Sequence, residues 1–409
     1  MDIKTQRLVD RWVGVPLCAV LSVWHALADA LAPAREVSPP RRILVILLSE
    51  MGSLVLAEPM LKELRARHPA AELHFLLFRR NRQVLDLLGV IDSDKVIEVG
   101  DGGALELVGD MLSAISRIRS LEIDTAIDCE LFARVSAIVS GLSGARHRIG
   151  FHRHTQEGLY RGSFMTRGVL YNPYRHLSHQ LCSLTRAIDS HSTPPAKESP
   201  SDAPCSPPAF VPDTGEVERE HAALIAAHPT LANSRIVFMY ASGGLLPIRA
   251  WPLEHFAEVA RGLLSDGCSV AIIGMPEDRA LGDRLRTMVG HHERCINLSG
   301  FTRSVRHLMA LFRCGALVIT NDGGPVQFAA MADIASIVFF GPETPTLYRS
   351  WSRKARVFFT NLPCSPCLTA YNHRTSPCDG DNQCLKRIHP GPVLEAARSM
   401  LATEAVGAR

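Results

Sequence analysis

The run RILVILL at residues 42–48 carries no polar side chain after Arg42. A strand with one wetted face alternates apolar and polar positions, so a continuous β-branched and leucine run marks a strand covered on both faces, as in a parallel sheet. Parallel strands need crossover connections, and the sequence that follows has that rhythm. A helix is predicted at 54–67, strands at 73–78 and more weakly at 95–99, a helix at 111–121 and a strand at 124–127. Right-handed crossovers place the loops after such strands along one edge of the sheet.

The rhythm stops at residues 190–212, SHSTPPAKESPSDAPCSPPAFVP, whose proline and serine content cannot form a core and reads as a linker. A second alternation follows, with strands predicted at 235–240, 269–273, 295–298, 316–320 and 336–340 and helices at 252–265, 277–289, 303–312 and 325–331. The expected class is α/β, two Rossmann-like domains facing across a cleft, a usual place for a nucleotide ligand and a second substrate. A chain of 409 residues with 46% apolar content has enough core for two or three domains. The expected segments are an N-terminal helix and hinge at 1–40, a first domain at 41–189, the linker at 190–212, a second domain at 213–360 and a Cys-rich tail at 361–409.

A net charge of +3 is too small for a dedicated nucleic-acid binder, so no nucleic-acid partner is expected. Charge is instead local: residues 144–180 hold six Arg and five His against the single acid Glu157. Arg146, Arg148 and Arg153 in that stretch are candidate contacts for an anionic acceptor or for membrane headgroups, with a solvated loop as the competing reading.

Residues 12–32, WVGVPLCAVLSVWHALADALA, are apolar and follow Lys4, Arg7 and Arg11. Asp2, Asp10, Pro16, His25 and Asp29 argue against a signal peptide or a clean transmembrane helix, since a charge at the bilayer centre costs about 2.5–3.5 kcal/mol. Trp12, Leu17, Leu21, Trp24, Leu27 and Leu31 recur at helical spacing. They predict a helix in the membrane interface, and with it a cytoplasmic protein peripheral on the inner face of the cytoplasmic membrane. The alternative is an amphipathic helix packed on the protein.

Seven of the eleven cysteines are scattered singly, several in apolar segments, which argues for a reducing compartment. The others are spaced Cys364-x2-Cys367-x10-Cys378-x5-Cys384, with His373 between them. Four thiolates at such spacing can close a tetrahedral, structural zinc site; two disulfides or a reduced cluster are the alternatives.

The most pointed motif is ITNDGGPVQFAAMA at 319–332, where a strand runs into Asn321, Asp322, Gly323 and Gly324 and then into a helix. The positive end of that helix suits phosphate, and a carboxylate beside it suits sugar or ribose hydroxyls. The longer stretch ITNDGGPVQFAAMADIASIVFFGPETP resembles the signature of glycosyltransferase family 9, the bacterial lipopolysaccharide heptosyltransferases. RRILVILLSEMGSLVLAEPMLKELRARHPAAELHFLL resembles the family's opening βαβ unit, ASGGLLPIRAWPLEHFAEVARGL the start of its second domain, and NLSGFTRSVRHLMALFRCGALVI the strand and helix before the signature.

The resemblance implies a GT-B fold, with the acceptor bound by the first domain and the donor by the second. It implies inverting transfer of a heptose or related sugar from a nucleotide sugar, ADP-linked by preference, to a glycolipid or oligosaccharide acceptor, with no catalytic cofactor. Asp322 would bind donor hydroxyls, Gly323 and Gly324 would offer amides to the diphosphate, and Asn321 and Gln327 are further candidates for binding the donor. Arg249, where the family commonly has a lysine before its Trp-Pro pair, would neutralise the leaving nucleoside diphosphate. Two positions depart from the pattern. Gln327 replaces the usual histidine, and Gly52-Ser53 stands where the family has Gly-Asp, its aspartate being the base. Serine needs an adjacent base, so Glu50 is the first candidate and Glu58 the second, with Asp128 and Glu130 further possibilities. A nucleotide-sugar-binding partner without turnover is the alternative reading.

Overall fold

The computed structural model describes residues 3–31, 39–48, 50–100, 102–131, 133–153, 159–190, 205–372, 374–376, 378 and 381–407. The greater part of the expected linker, together with His154, Glu157 and His373, lies outside the described residues. The chain divides into two compact units, Met1–Ala203 with Ala370–Arg374, and Pro204–Thr369 with Thr375–Arg409.

In the first unit the elements are α1 (Ile3–Trp12), α2 (Gly14–Leu31), β1 (Arg42–Ile46), α3 (Met51–Arg67), β2 (Glu72–Phe78), α4 (Arg82–Leu88), β3 (Val96–Val99), α5 (Ala104–Ser120), β4 (Thr125–Asp128), α6 (Arg134–Leu142), β5 (His147–Phe151), β6 (Arg167–Val169) and α7 (Leu177–Arg186). The strands form one parallel sheet in the order β3-β2-β1-β4-β5-β6. The run that opened the argument is the central strand β1, and Ile43, Leu44, Val45 and Ile46 are buried, as covering on both faces requires.

The second unit holds α8 (Glu216–Ala227), β7 (Ile236–Tyr240), α9 (Leu253–Ser265), β8 (Ser269–Ile272), α10 (Arg279–Met288), β9 (Cys295–Asn297), α11 (Val305–Arg313), β10 (Leu317–Asn321), α12 (Gly324–Met331), β11 (Ser336–Phe340), α13 (Pro345–Tyr348), β12 (Ala355–Phe359), α14 (Gln383–Lys386) and α15 (Pro390–Gly407). Its sheet is also parallel, in the order β12-β11-β10-β7-β8-β9. Read from the other end, this is the order of the first sheet, so both units have the doubly wound Rossmann-like topology, although the sequence shows no short repeat. In each, the order reverses beside the first strand, between β1 and β4 and between β7 and β10. Chain leaving two neighbouring strands there turns to opposite faces and opens a crevice at their carboxyl ends. The helix expected at 111–121 starts earlier, at Ala104, and α15 packs on α9 as part of the second unit's core.

The N-terminal helices divide by face. Inward, Gly14 and Cys18 are buried against α6, where a Cβ on Gly14 would come within 3.0 Å of the Arg134 side chain. Asp10 accepts from the Arg134 backbone N–H at 2.7 Å and from its Nη1 at 2.6 Å, which caps the positive end of α6 with a carboxylate. Ser163 N donates to Ser22 Oγ at 2.8 Å, and His25 Nε2 lies 2.9 Å from Gly141 O. Outward, Trp12, Val13, Leu17, Val20, Val23, Trp24, Leu27 and Leu31 are exposed, the two indoles by 72% and 66%. The stretch Leu8–Leu31 is long and apolar enough to cross a membrane by length and composition, but its inner face is already hydrogen-bonded to the first unit. The packed-helix alternative therefore describes the inner face, and among the described residues the outer face is exposed.

Candidate active site

In the second unit, the site grows from Trp251. Its ring stacks on Phe339 with centroids 4.2 Å apart, meets Phe256 edge-on at 5.0 Å, and its indole N–H donates to Ile388 O at 2.9 Å. Two residues upstream, Arg249 ends a short 3-10 turn, Pro247–Arg249, so the anchored indole fixes the loop that carries it. Arg249 and Asp322 are both buried, and Nη1 lies 3.9 Å from Oδ2. Two charges 73 positions apart in sequence thus meet at the β7/β10 switch point, close enough to attract but beyond hydrogen-bond length.

Asn321 has a different role from the expected one. It is fully buried, its Oδ1 accepts from Trp251 N at 2.8 Å, and its Nδ2 donates to Ala241 O at 3.1 Å and Ser242 O at 3.0 Å. Its polar atoms are spent lashing β10 to the loop after β7, so it builds the site instead of reaching for sugar hydroxyls. Gly323 follows with φ of 154°, which L side chains rarely adopt, and this turn starts α12 at Gly324. The N-cap residue Gly323 has no side chain with which to cap α12, and the first-turn amides lack partners within the helix. Gln327 is buried and donates through Nε2 to Tyr348 O at 3.0 Å, tying α12 to α13. The surroundings therefore comprise a guanidinium, a carboxylate and a helix N-terminus, a set suited to a sugar bearing a diphosphate.

In the first unit, the corresponding switch point gathers the loops after β1 and β4. Glu50 is the N-cap residue of α3, and its Oε1 accepts from Arg374 Nη1 at 3.1 Å. Ser53 is not the cap; it lies inside the first turn, with its N–H donating to Glu50 O at 2.9 Å. Glu58 is buried mid-helix and paired with Lys62 one turn on, away from the loop. Glu130 Oε1 accepts from Leu48 N at 2.7 Å, binding the β4 loop to the β1 loop. Asp128 is completely buried, accepting from Arg161 Nη2 and from Glu130 N. Burial pushes its carboxyl upward from the ordinary value, opposed by the Arg161 guanidinium. Asp128 and Glu130 are thus engaged in structure, which leaves Glu50 as the half-buried carboxylate of the loop.

Of the basic candidates, Arg148 is a correction. It is buried and points into the unit from β5, donating from Nε to Phe164 O at 2.8 Å and from Nη1 to Ala145 O at 2.7 Å, so it serves the fold of the unit. Arg146 is exposed but precedes β5, which puts it at the amino end of the sheet, opposite the edge that carries Glu50. Arg153 follows β5 on the expected edge, exposed, with its guanidinium 5.8 Å from the Tyr160 ring. Sequence reading missed Arg161 and Arg374 as partners of the acidic loops. Arg161 stood in the basic stretch it had flagged, whereas nothing in the sequence pairs residue 374 with residue 50.

The zinc staple also needs correction. Among the described residues, no three His, Cys, Asp or Glu side chains converge as a metal site. Burial raises the Cys367 and Cys384 thiols, with smaller contributions from Cys378 and Cys364 on the first and from Cys367 and Cys364 on the second. Ser376 Oγ donates to Cys367 Sγ at 3.1 Å, Cys378 Sγ lies 3.8 Å from Asn382 Oδ1, and burial pushes the Cys384 thiol up to about 11. This arrangement does not fit a preformed tetrahedral thiolate cage.

The similarities of the whole chain agree with this geometry. A lipopolysaccharide heptosyltransferase 2 of Salmonella typhimurium is 25% identical over 370 residues, covering 89% of this chain and all of the relative. Among solved structures, an ADP-heptose lps heptosyltransferase II of E. coli superposes with a TM-score of 0.69 at 21% identity, covering 89% of this chain and 99% of that one. A family 9 glycosyl transferase of Veillonella parvula gives 0.64 at 20% identity, covering 90% and 99%. These two likenesses establish the GT-B heptosyltransferase fold. The model of glycosyltransferase family 9 (heptosyltransferase) matches residues 111–376, well over half of the chain, and the protein therefore belongs to glycosyltransferase family 9.

Proposed function

We propose that the protein transfers a heptose, or a closely related sugar, from its ADP conjugate to the core of a lipopolysaccharide or a similar envelope glycan, inverting the anomeric centre. The observation that carries this reading is the meeting of Arg249, Asp322 and the N-terminus of α12 at one switch point. As the glycosidic bond to the diphosphate lengthens, charge collects on the leaving oxygens, and a fixed cation with oriented amides stabilises that charge more than it stabilises the bound donor. Asp322 is assigned to donor hydroxyls and Glu50 to the proton of the attacking acceptor hydroxyl. Arg153, on the carboxyl edge of the first unit, is assigned to an anionic group of the acceptor.

The test is a thermal-shift and turnover comparison with ADP-heptose and a lipid A–core extract. The expected result is donor-dependent stabilisation, which grows with the logarithm of saturation, together with turnover that Glu50→Gln lowers by about a hundredfold or more, in the range of general-base catalysis. Donor binding without turnover under every acceptor would sink the enzymatic reading and favour the binding-only alternative.

The outer face of α1 and α2 is assigned to the inner leaflet, with the helices lying in the interface. Indoles favour the headgroup level, and the hydrogen bonds on the inner face keep the pair from standing across the bilayer. Replacing both Trp12 and Trp24 by serine is expected to lower partition into anionic vesicles by roughly tenfold or more, given the large area of each indole. Turnover on a detergent-free, water-soluble acceptor fragment should stay unchanged. Undiminished co-sedimentation of that variant with vesicles would rule the assignment out.

A further inference from the structure

The tip of the Cys-rich segment is built against the loop that carries Glu50. Residues Ala370–Arg374 group with the first unit although the chain on both sides belongs to the second. Three rings lead to the tip: Phe151, at the carboxyl end of β5, meets Tyr171 edge-on at 6.0 Å, and Tyr171 meets Tyr371 at 6.3 Å. Beyond Tyr371 the backbone turns through Arg374 with φ of 51°, in the left-handed region that a bulky side chain adopts only when its surroundings demand it. The outcome is a guanidinium whose Nη1 donates to Glu50 Oε1 at 3.1 Å, with 15% and 25% of the two side chains exposed.

We infer that Arg374 is a positioning residue for the acceptor-activating carboxylate, holding Glu50 through Oε1 so that the side chain keeps one orientation. The inference rests on Glu50 being the base. A glutamate at a helix N-cap has three rotatable bonds, and a base must meet its proton within hydrogen-bond reach, so orientation is as necessary as basicity. The family's aspartate would stand at position 53, on the helix itself, with a shorter side chain. Moving the carboxylate to Glu50 lengthens the lever and places it just outside the helix, and the cation at 374 restores what that change loses. A guanidinium suits this better than an ammonium because its planar fork fixes direction as well as charge. The Cys-rich segment thereby gains a role on the acceptor side: it presents Arg374.

The experiment is a double-mutant cycle on kcat with the full chain, using wild type, Arg374→Ala, Glu50→Gln and the double variant, with Arg374→Lys as the conservative control. Arg374→Ala is expected to lower kcat by roughly ten- to a hundredfold, with the donor KM moving less than about twofold, because the contact does not touch the donor. Arg374→Lys should recover part of the loss, which separates loss of the contact from loss of fold. The double variant should be no slower than Glu50→Gln alone, since a residue acting through Glu50 has nothing left to act on. Losses that multiply in the double variant, or wild-type kcat in Arg374→Ala, would overturn the inference while leaving Glu50 as base. Full turnover in Glu50→Gln would remove the base assignment and the inference together.

Discussion

Arg249→Met should lower kcat by about a hundred- to a thousandfold, the range seen when one preorganised electrostatic donor is removed from a developing anion. Methionine keeps the aliphatic stem that packs in the turn and deletes the cation. The loss should fall on kcat more than on the donor KM, because the negative charge that Arg249 meets is greatest at the transition state. A stability cost accompanies it. Asp322 lies 3.9 Å away and is buried, and removing one member of a buried ion pair costs about 3 kcal/mol because the remaining charge is less well compensated. In Arg249→Met with Asp322→Asn the thermal midpoint should recover while turnover stays low, since both residues are assigned to the donor. Recovery of turnover along with stability would mean that Arg249 serves the fold alone, and the site assignment would be withdrawn.

The second large effect is structural. Asn321→Leu matches the shape of the side chain but leaves Trp251 N–H and the carbonyls of Ala241 and Ser242 without the partners seen at 2.8, 3.1 and 3.0 Å. Orphaning a buried polar group costs about 1–3 kcal/mol, and these three share one site, so the total should be about 3–5 kcal/mol and less than their sum. Against a typical net stability of about 5–15 kcal/mol, that is a large share. Urea unfolding followed by far-UV circular dichroism measures it. A midpoint unchanged within error would show that the lash between β7 and β10 is dispensable.

How far the sequence revealed these features depended on how each residue is satisfied. Strands such as β1, β7, β10 and β11 were legible because burial on both faces leaves an unbroken apolar run. β5 was not, because HRIGF contains Arg148 and lay in a stretch that read as a charged loop; two of its guanidinium donors go to backbone carbonyls that no periodicity announces. At the site, Asp322 and Gly323 drew notice through their place after a strand, and Arg249 through resemblance to a family. Asn321 was misassigned for the same reason: an amide beside a glycine turn looks like a ligand contact until the partners of its Oδ1 and Nδ2 are known. The Glu50–Arg374 contact spans 324 residues, and only folding could bring the two together.

The capped end of α6 bears on how this protein can be handled. Asp10 and Gly14 are seated on Arg134, and Cys18 closes over Ala137 and Phe164. Trimming the first thirty residues to gain solubility would trade one greasy surface for another and leave a helix terminus bare beside it. For this chain the N-terminal helix pair is a lid on its own core.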